Sequence, residues 1–296
     1  VVGGAGFIGS NVVNALVERG EDVHVIDDLS GGKKEHVNPK ASFYQVSIRD
    51  YADIEDIIKG ADTVFHLAAR PRVQYSIEHP IETNEVNVDG TLNVLVAANK
   101  GGVRRVVYSA SSSAYGDQEE MPLVEDMVAN PLSPYGLQKY IGEMYCKMFS
   151  RIYNLETVSL RYFNVYGTNQ DPEGPYALVI GKFLKQKAEG TPLTITGTGE
   201  QTRDFTNVRD VVRANILAME SDKVGDGETI NVGAGNNCSI ERLAEIIGGE
   251  VEHIDARIEP QNTLADNAKA KELLGWVPEV SLEDGIAELK KEMGID

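Results

Sequence analysis

Short runs of β-branched and aromatic residues alternate with amphipathic stretches through the first half of the chain. The apolar runs at residues 23–26, 63–67, 103–108 and 157–161 predict buried strands. The stretches at residues 11–19, 54–59, 86–99 and 134–153 predict helices. Strands that alternate with helices are joined by right-handed crossovers and lie parallel, so the pattern predicts an α/β fold with a doubly wound parallel sheet.

The texture of the sequence changes after about residue 164, where glycine and proline become frequent. We expect residues 1–163 to form the doubly wound domain, with a segment of about 205–235 returning to it. Residues 164–296 would mainly form a smaller α/β domain that packs closely, since no linker separates the two regions. A final helix is expected at about 268–274, ended by Gly275.

The composition excludes several classes of protein. The 296 residues include 28 Lys and Arg against 46 Asp and Glu, a net charge of −18, which is unlike a nucleic-acid binder or a binder of anionic membranes. No apolar run reaches the ~18 residues of a membrane span. Two cysteines and scattered histidines predict neither a disulfide framework nor a metal site, and we expect a cytoplasmic protein. The chain begins at Val1, and we expect a few residues to precede it.

Glycines at positions 3, 6 and 9 lie between the first strand and the first helix. Glycine lets a pyrophosphate approach backbone amides at a helix N-terminus. A glycine-rich turn would be the alternative, but Asp27 follows Gly9 by 18 residues at the end of the second predicted strand. A carboxylate there would bind ribose hydroxyls and repel a 2′-phosphate, which favours NAD over NADP. Lys33 and Lys34 lie nearby and would weaken that preference.

The helix at 134–153 begins with a second signal. Ser133 is a good N-cap, and Pro134 suits the first helical position. Tyr135 and Lys139 are four residues apart and therefore share a face. We expect the helix to pack through an apolar stripe on another face, formed by Leu137, Ile141, Met144 and Met148.

An ammonium near a phenol lowers the phenol's pKa, so Lys139 would make Tyr135 a base near neutral pH. The alternative is an exposed Tyr and Lys on a solvated face. Three serines, Ser111 to Ser113, follow the strand at 103–108, and active-site residues of open α/β sheets collect at such strand ends. A plain serine turn is the alternative there.

These motifs occur in one order along the chain, and the sequence resembles the extended short-chain dehydrogenase/reductase family of NAD-dependent epimerases and dehydratases. Within it, the resemblance is greatest to the 4-epimerases of UDP-glucose (UDP-galactose) and of UDP-N-acetylglucosamine. It covers nearly the whole chain and rests on residues 3–10, 27–30, 66–69, 87–91, 111–116, 135, 139, 160–164, 197–205, 265–266 and 274–276.

The resemblance implies a Rossmann domain that binds NAD and a second domain that binds a UDP-sugar. The implied cofactor residues are Gly3, Gly6, Phe7, Ile8, Gly9, Asp27, Asp28, Leu29, Ser30, Gly31, Gly32, Ser47, Ile48, Leu67, Ala68, Ala69, Arg70, Asn87, Ser111, Tyr135, Lys139 and Phe163. The implied substrate residues are Ser111, Tyr135, Asn164, Ala177, Leu178, Val179, Arg203, Arg257, Glu259 and Thr263. A homodimer is also implied.

The sequence departs from its relatives at two places. Val46-Ser47 replaces a Gly-Asp pair whose carboxylate meets the adenine amine, and Ser47 offers a weaker acceptor. The segment from Arg257 to Glu259 is one residue shorter than the matching motif. Thr263 occupies the position that faces the C2 substituent of the sugar, where a Tyr would exclude N-acetylated substrates.

The resemblance also implies the catalytic roles of Ser111, Tyr135 and Lys139. Tyr135 would remove the proton of the sugar 4-hydroxyl, directly or through Ser111, while the C4 hydride passes to NAD. The 4-keto sugar would turn and receive the hydride on its other face. A 4,6-dehydratase or a decarboxylase would need acidic residues where this chain has Ser112 and Ser113. A non-catalytic NAD sensor is the remaining alternative.

Overall fold

The computed structural model describes residues 1–173, 178–255 and 261–295. The helices are α1 (Phe7–Glu18), α2 (Tyr51–Ile58), α3 (Val73–Glu78), α4 (Pro80–Asn84), α5 (Gly90–Gly101), α6 (Pro134–Tyr153), α7 (Val179–Glu189), α8 (Val208–Glu220), α9 (Ile240–Ile247), α10 (Ala268–Leu274) and α11 (Leu282–Glu292). The strands are β1 (His24–Ile26), β2 (Ser42–Tyr44), β3 (Thr63–His66), β4 (Arg105–Ser111), β5 (Glu156–Tyr162), β6 (Val165–Tyr166), β7 (Leu193–Thr196), β8 (Thr202–Asp204), β9 (Thr206–Asn207), β10 (Asp226–Val232), β11 (Asn237–Ser239) and β12 (Val251–Ile254).

The main sheet is parallel throughout, with β10, β5, β4 and β3 on one side and β1 and β2 on the other. Val2 joins the two parts, because it forms parallel bridges to Ile26 of β1 and to His66 of β3. The order is therefore β2, β1, Val2, β3, β4, β5 and β10. The predicted doubly wound α/β sheet is confirmed.

Successive residues of the strands supply cores on opposite faces of this sheet. On β4, Val107 packs with α1 and α8, whereas Val106 and Tyr108 pack with α2 and α5. A third core lies under the later part of the chain, where Phe183 of α7 and Leu243 of α9 are fully buried. Segments α8 and β10 return to the main sheet, since β10 pairs with β5 and α8 packs on α1.

The predicted elements match the structure closely, with one interruption. The helices expected at 134–153 and 268–274 have those bounds. The helix expected at 86–99 is divided, because a π-helical turn spans Glu85–Asp89 and α5 begins at Gly90. That turn lies against the N-terminal part of α6, where the Asn87 side chain bonds Gln138.

The predicted packing stripe of α6 was wrong for two of its residues, because Leu137 and Met144 are 48% and 41% exposed. Met148 packs in part on the core, and the buried face consists mainly of small and polar residues together with Phe149. A Cβ atom on Gly142 would lie 2.2 Å from the Tyr108 hydroxyl, so the helix approaches β4 too closely for a larger residue. Close approach and internal hydrogen bonds therefore select the packed face, and Leu137 and Met144 stay on the surface.

Within the described ranges, none of the helices combines the length and apolar character needed to cross a membrane. The same residues contain no group of three or more His, Cys, Asp or Glu side chains that could hold a metal ion. Cys146 and Cys238 are both free thiols.

Candidate active site

The glycine turn occupies the carboxyl edge of the sheet, where the connection after Val2 carries α1 to one face and the connection after β3 carries α5 to the other. Such a switch point forms a crevice in open α/β sheets. Gly3 has a φ of +87°, and a Cβ there would lie 2.4 Å from the Ala68 nitrogen. A Cβ on Gly9 would lie 2.0 Å from the Gly3 carbonyl oxygen. Only glycine fits at these two positions, as the sequence predicted.

The N-terminus of α1 faces this crevice. Gly6 caps the helix without a side chain, and the first backbone bond joins the Ser10 amide to the Gly6 carbonyl. The amides of Phe7, Ile8 and Gly9 precede that bond and have no intrahelical acceptor. A 12-residue helix with open amides and a side-chain-free approach fits a dinucleotide pyrophosphate.

Asp27 closes one side of the crevice. Its carboxylate is 9% exposed and accepts hydrogen bonds from the Ala5 and Leu29 amides, at 2.9 and 2.8 Å. Burial raises the pKa of Asp27. The two nearby lysines have other partners: the Lys34 ammonium lies over a phenylalanine ring and Lys33 lies 3.9 Å from Asp171. Among the described residues, neither lysine forms an ion pair with Asp27, and their expected effect on the cofactor preference stays a prediction.

The segment after Asp27 packs onto the glycine turn. Asp28 accepts from the Ser30 amide at 2.9 Å, and Leu29 adopts a φ of +60°. A Cβ on Gly32 would lie 2.7 Å from the Ala5 carbonyl carbon, so this segment also requires close approach. Residues 27–32 therefore form a tight wall beside the open amides, with Gly31 facing open space.

A second wall comes from the loop after β3, which holds Leu67, Ala68, Ala69 and Arg70. Asn87 fixes this loop, because its side chain accepts from the Arg70 amide at 2.7 Å and donates to the Arg70 carbonyl at 3.1 Å. The Arg70 guanidinium donates to the Ser30 carbonyl at 3.0 Å, which joins the two walls. Asn87 thus supports the predicted cofactor site by holding its backbone.

Ser47 and Ile48 lie at the outer end of the crevice. The Ser47 hydroxyl accepts two long contacts of 3.4 Å, from the backbone and side chain of Arg49. Ile48 is 5% exposed and packs on Gly90, where a Cβ would lie 2.6 Å from its Cδ1 atom. Ser47 therefore keeps an accessible acceptor, whereas Ile48 shapes the floor beneath it.

The structure places the predicted residues Ser111 and Tyr135 near each other, beside the crevice. Ser111 ends β4 and is 8% exposed, and its hydroxyl accepts from the Ser113 amide at 3.1 Å. The Ser111 hydroxyl is also near enough to the Tyr135 phenol to lower the pKa of Tyr135. Tyr135 is half-buried at the start of α6, where its amide donates to the Ser76 hydroxyl at 3.0 Å. Ser133 caps the helix as predicted, accepting from the Gly136 amide.

The expected cause of a low Tyr135 pKa is corrected by the structure. Burial raises the pKa of Tyr135, and the groups that oppose this effect are the Ser111 hydroxyl and the Arg72 charge. The Lys139 ammonium instead lies over the Tyr108 ring, 4.7 Å from its centroid. Burial lowers the pKa of Lys139 to about 8. Ser111 and Arg72 are therefore the groups that favour the phenolate.

Two residues near the site, Arg72 and Gln170, were not predicted from the sequence. Arg72 precedes α3 with a φ of +103°, a strained value for a residue with a side chain, and its carbonyl accepts from the Ser76 amide at 3.1 Å. Gln170 has a buried side-chain amide with no hydrogen-bond partner in the described part of the chain. Its Cδ lies 3.5 Å from where a Gly181 Cβ would stand, at the start of α7. Neither belongs to a recognisable spacing.

A buried ion pair lies one helical turn beyond Lys139. Glu143 and Arg161 are 1% and 3% exposed, and two hydrogen bonds of 2.9 and 2.7 Å join them. The guanidinium carbon also lies 4.4 Å from the Tyr115 ring centroid. Glu143 acts against the burial that lowers the Lys139 pKa, so the pair supports the charge of that lysine.

Three of the predicted substrate residues lie together where the later region meets the sheet. Asn164 donates to the Asp204 carbonyl at 3.1 Å and to the Thr263 hydroxyl at 3.3 Å. Arg203 is 8% exposed and donates to the Thr202 and Gln261 carbonyls at 2.9 and 3.2 Å. Leu178 caps α7, and Val179 is its first residue. Ala177, Arg257 and Glu259 lie outside the described residues.

Two buried residues hold this junction. Asp204 accepts from the amides of Ala234, Gly235 and Ala265 at 2.8, 3.0 and 2.9 Å, and burial raises its pKa to about 6. Phe163 is fully buried beside Tyr115. Phe163 is therefore enclosed at this junction, and its expected place beside the nicotinamide stays a prediction.

Comparison with known proteins places this geometry among related enzymes. The family model for the NAD dependent epimerase/dehydratase family matches residues 1–233. The chain is 41% identical to a UDP-glucose 4-epimerase from Thermotoga maritima solved with UDP-glucose, with a TM-score of 0.93 and coverage of 99% and 98% of the two chains. A UDP-glucose 4-epimerase from Mycolicibacterium smegmatis is 38% identical, over 97% and 95% of the two sequences.

Relatives with other substrates also match. A UDP-N-acetylglucosamine 4-epimerase from Methanobrevibacter ruminantium, solved with UDP-N-acetylmuramic acid, is 37% identical with a TM-score of 0.92, covering 98% and 97% of the two chains. A UDP-N-acetyl-α-D-glucosaminuronate decarboxylase from Bacillus cytotoxicus is 35% identical, over 97% and 95%. The comparisons therefore include both epimerases and a decarboxylase.

The buried pair behind Lys139 gives a stability prediction. Glu143→Gln leaves the Arg161 charge without a counter-charge, and we expect it to lower the free energy of unfolding by about 3–5 kcal/mol. Glu288→Gln breaks an exposed pair with Arg209 and should cost about 0–1 kcal/mol. Urea unfolding at neutral pH measures both. Equal losses in the two variants would contradict the assignment of a strongly coupled buried pair.

Proposed function

The chain belongs to the NAD-dependent epimerase/dehydratase family, and from that premise we propose that it is a 4-epimerase of UDP-sugars that works through a transient 4-keto sugar. NAD is the cofactor. The proposed substrates are UDP-glucose and UDP-galactose, together with UDP-N-acetylglucosamine and UDP-N-acetylgalactosamine. The observation that supports this most is the placement of Ser111 at the end of β4 and Tyr135 at the start of α6, both beside the dinucleotide crevice, with Ser111 lowering the pKa of Tyr135.

Tyr135 is the proposed base. As a phenolate it accepts the proton of the sugar 4-hydroxyl, with Ser111 placed to share that proton. Arg72 favours the ionised phenol, and Lys139 adds a buried cation on the next helical turn. NAD, when bound, supplies the hydride acceptor and donor for C4 of the sugar. Tyr135 returns the proton when the 4-keto sugar is reduced.

Inversion requires that the 4-keto sugar turn while its nucleotide stays bound. We propose that Asn164 and Arg203 hold the UDP part at the junction with the later region, with the start of α7 beside them. A guanidinium is a suitable phosphate partner in a chain of net charge −18. The proposed domain division follows: residues 1–163 with 205–235 bind NAD, and residues 164–296 mainly bind the UDP-sugar.

Two related reactions fit the site less well. A 4,6-dehydratase eliminates water and needs further acidic groups, and a decarboxylase relative carries a glutamate in the same turn. Here those positions are Ser112 and Ser113, in a short 3₁₀ turn after β4. Serine hydroxyls do not supply that acid–base chemistry, which favours epimerisation. The intact Ser111, Tyr135 and Lys139 set also argues against a non-catalytic NAD sensor.

A homodimer is proposed from the outer face of α6. In this stripe Leu137 and Met144 are exposed and Ile141 and Met148 are half-buried, and an apolar helix face of this kind fits a second copy of the same chain. The stripe faces away from the side that holds Tyr135 and Lys139. A second copy there would leave the crevice open. A cytoplasmic location remains a prediction.

The base assignment predicts the effect of Tyr135→Phe. The variant should keep its fold and bound NAD and lose activity by about 10²–10⁴-fold, because only the proton-transfer group is removed. Activity is followed as conversion of UDP-galactose to UDP-glucose without added cofactor. Tyr140→Phe on the same helix is the matched control and should remain active. Activity of Tyr135→Phe within a few-fold of the unmodified enzyme would exclude Tyr135 as the base.

The Asp27 carboxylate predicts cofactor preference. NAD should bind much more tightly than NADP, and Asp27→Asn should narrow the difference, because it removes the charge that opposes a 2′-phosphate. Calorimetric titration of the cofactor-free protein with each dinucleotide measures both affinities. Asp22→Asn, on an exposed carboxylate before β1, should leave the ratio unchanged. Equal affinities in the unmodified protein would contradict the role of Asp27.

Thr263 predicts substrate breadth. Threonine is much smaller than tyrosine, so the unmodified enzyme should epimerise UDP-N-acetylglucosamine as well as UDP-glucose. Thr263→Tyr should abolish the first reaction and spare the second. Thr263→Val keeps the size but loses the hydroxyl that bonds Asn164 and the Asp204 amide, so it separates bulk from hydrogen bonding. If Thr263→Tyr still epimerises UDP-N-acetylglucosamine, the size of residue 263 does not determine substrate breadth.

A further inference from the structure

Gln138 is a polar residue on the buried face of α6, between Tyr135 and Lys139. Its side chain is 4% exposed, and every polar atom of its carboxamide has a partner. The oxygen accepts from the Asn87 amide at 2.8 Å. The nitrogen donates to the Thr83 hydroxyl at 3.0 Å and to the Pro80 carbonyl at 3.5 Å. The proposed proton transfer uses none of these contacts.

Asn87 carries the connection from α6 to the wall of the crevice. It lies on the π-helical turn Glu85–Asp89 and is 1% exposed. Its amide donates to Gln138 and to the Arg70 carbonyl, and its oxygen accepts from the Arg70 amide. The side-chain hydrogen bonds of Asn87 are thus divided between the helix of the base and the loop after β3.

The same turn is fixed to β3 itself. The Thr91 hydroxyl bonds the Asn87 carbonyl at 2.7 Å and lies 2.9 Å from the His66 Nε2 atom. The connection therefore runs from Gln138 through Asn87 to both the end of β3 and the loop that follows it. These contacts join residues 51 and 17 positions apart in the chain. One end of the connection lies on the helix that carries Tyr135, and the other lies on the loop after β3.

We propose that Gln138 is a positioning residue that keeps Tyr135 and Lys139 in register with the cofactor-facing loop at Ala68–Arg70. The inference rests on the proposed function. In that reaction the proton leaves the 4-hydroxyl toward α6, while the hydride leaves the adjacent carbon toward the cofactor side. Both transfers must fit one substrate pose, and a misplacement of about 1 Å costs on the order of 10²-fold in rate.

A purely structural role would call for different chemistry. Apolar side chains would hold α6 against α4 without burying a carboxamide, which costs free energy unless it is fully bonded. Hydrogen bonds fix direction as well as distance, since their strength falls as the angle departs from linear. The fully bonded Gln138–Asn87 pair therefore specifies an orientation that packing alone leaves free.

The test is Gln138→Met, which keeps the length of the side chain and removes its hydrogen bonds. We expect kcat for UDP-galactose epimerisation to fall about 10–100-fold, with KM changed less than about twofold. The reduced cofactor should accumulate during turnover, seen by its absorbance, because hydride return is slowed in a misaligned pose. Gln138→Glu keeps an oxygen that accepts from Asn87 but loses the donor to Thr83 and Pro80, so its kcat should lie between those of Gln138→Met and the unmodified enzyme.

Gln186→Met is the matched control, because Gln186 also uses both ends of its carboxamide, bonding the Thr194 hydroxyl and amide at 3.0 and 3.1 Å far from the site. Gln186→Met should leave kcat unchanged, even if it lowers the free energy of unfolding. If Gln138→Met does not fold, Thr83→Val removes only the outer partner and should lower kcat in the same direction. Unchanged kcat in the folded Gln138 variant, or an equal fall in the Gln186 control, overturns the proposal. Lack of epimerisation by the unmodified protein would instead refute the proposed function.

Discussion

Backbone hydrogen bonds on both sides of Val2 hold the two halves of the sheet together. The Val2 amide donates to the Phe65 carbonyl, and the Val2 carbonyl accepts from Leu67 and Ala68, while the next amide bonds Ile26 of β1. Residues 1–3 thus take the place of a central strand, because Val1 and Gly3 bond β1 while Val2 bonds β3 and the loop after it. The close approach of the glycine turn to Ala68 follows from these bonds, and so do the position of α1 and the crevice at its N-terminus.

Local chemistry was predictable from the sequence. Glycine spacing, the acid after β1 and the capped start of α6 each depend on neighbours within a few residues or on strand order, and all three are found where expected. The meeting of Ser111 and Tyr135 follows from the same strand order, because both lie at the carboxyl edge of the sheet.

Other features depend on distant packing. Apolar periodicity identified the stripe on α6 but could not indicate which face the sheet would cover, and the close contact at Gly142 decided that. The expected influence of Lys139 on Tyr135 failed for a similar reason, since the ammonium points to the Tyr108 ring. The strained Arg72 and the Gln138–Asn87 pair join elements far apart in sequence, and no motif or residue spacing predicts them.

The two faces of α6 differ in how freely they can change over evolutionary time. On the outer face, one apolar residue can replace another while the helix keeps its place. On the inner face, a methyl group on Gly142 would place its carbon 2.2 Å from the Tyr108 hydroxyl, which leaves no room for it. A mutation there would displace the helix and lift Tyr135 and Lys139 together. The outer face of α6 can therefore change during evolution and alter which molecules the surface contacts. Gly142 cannot change in this way, although it is placed in neither the cofactor site nor the substrate site.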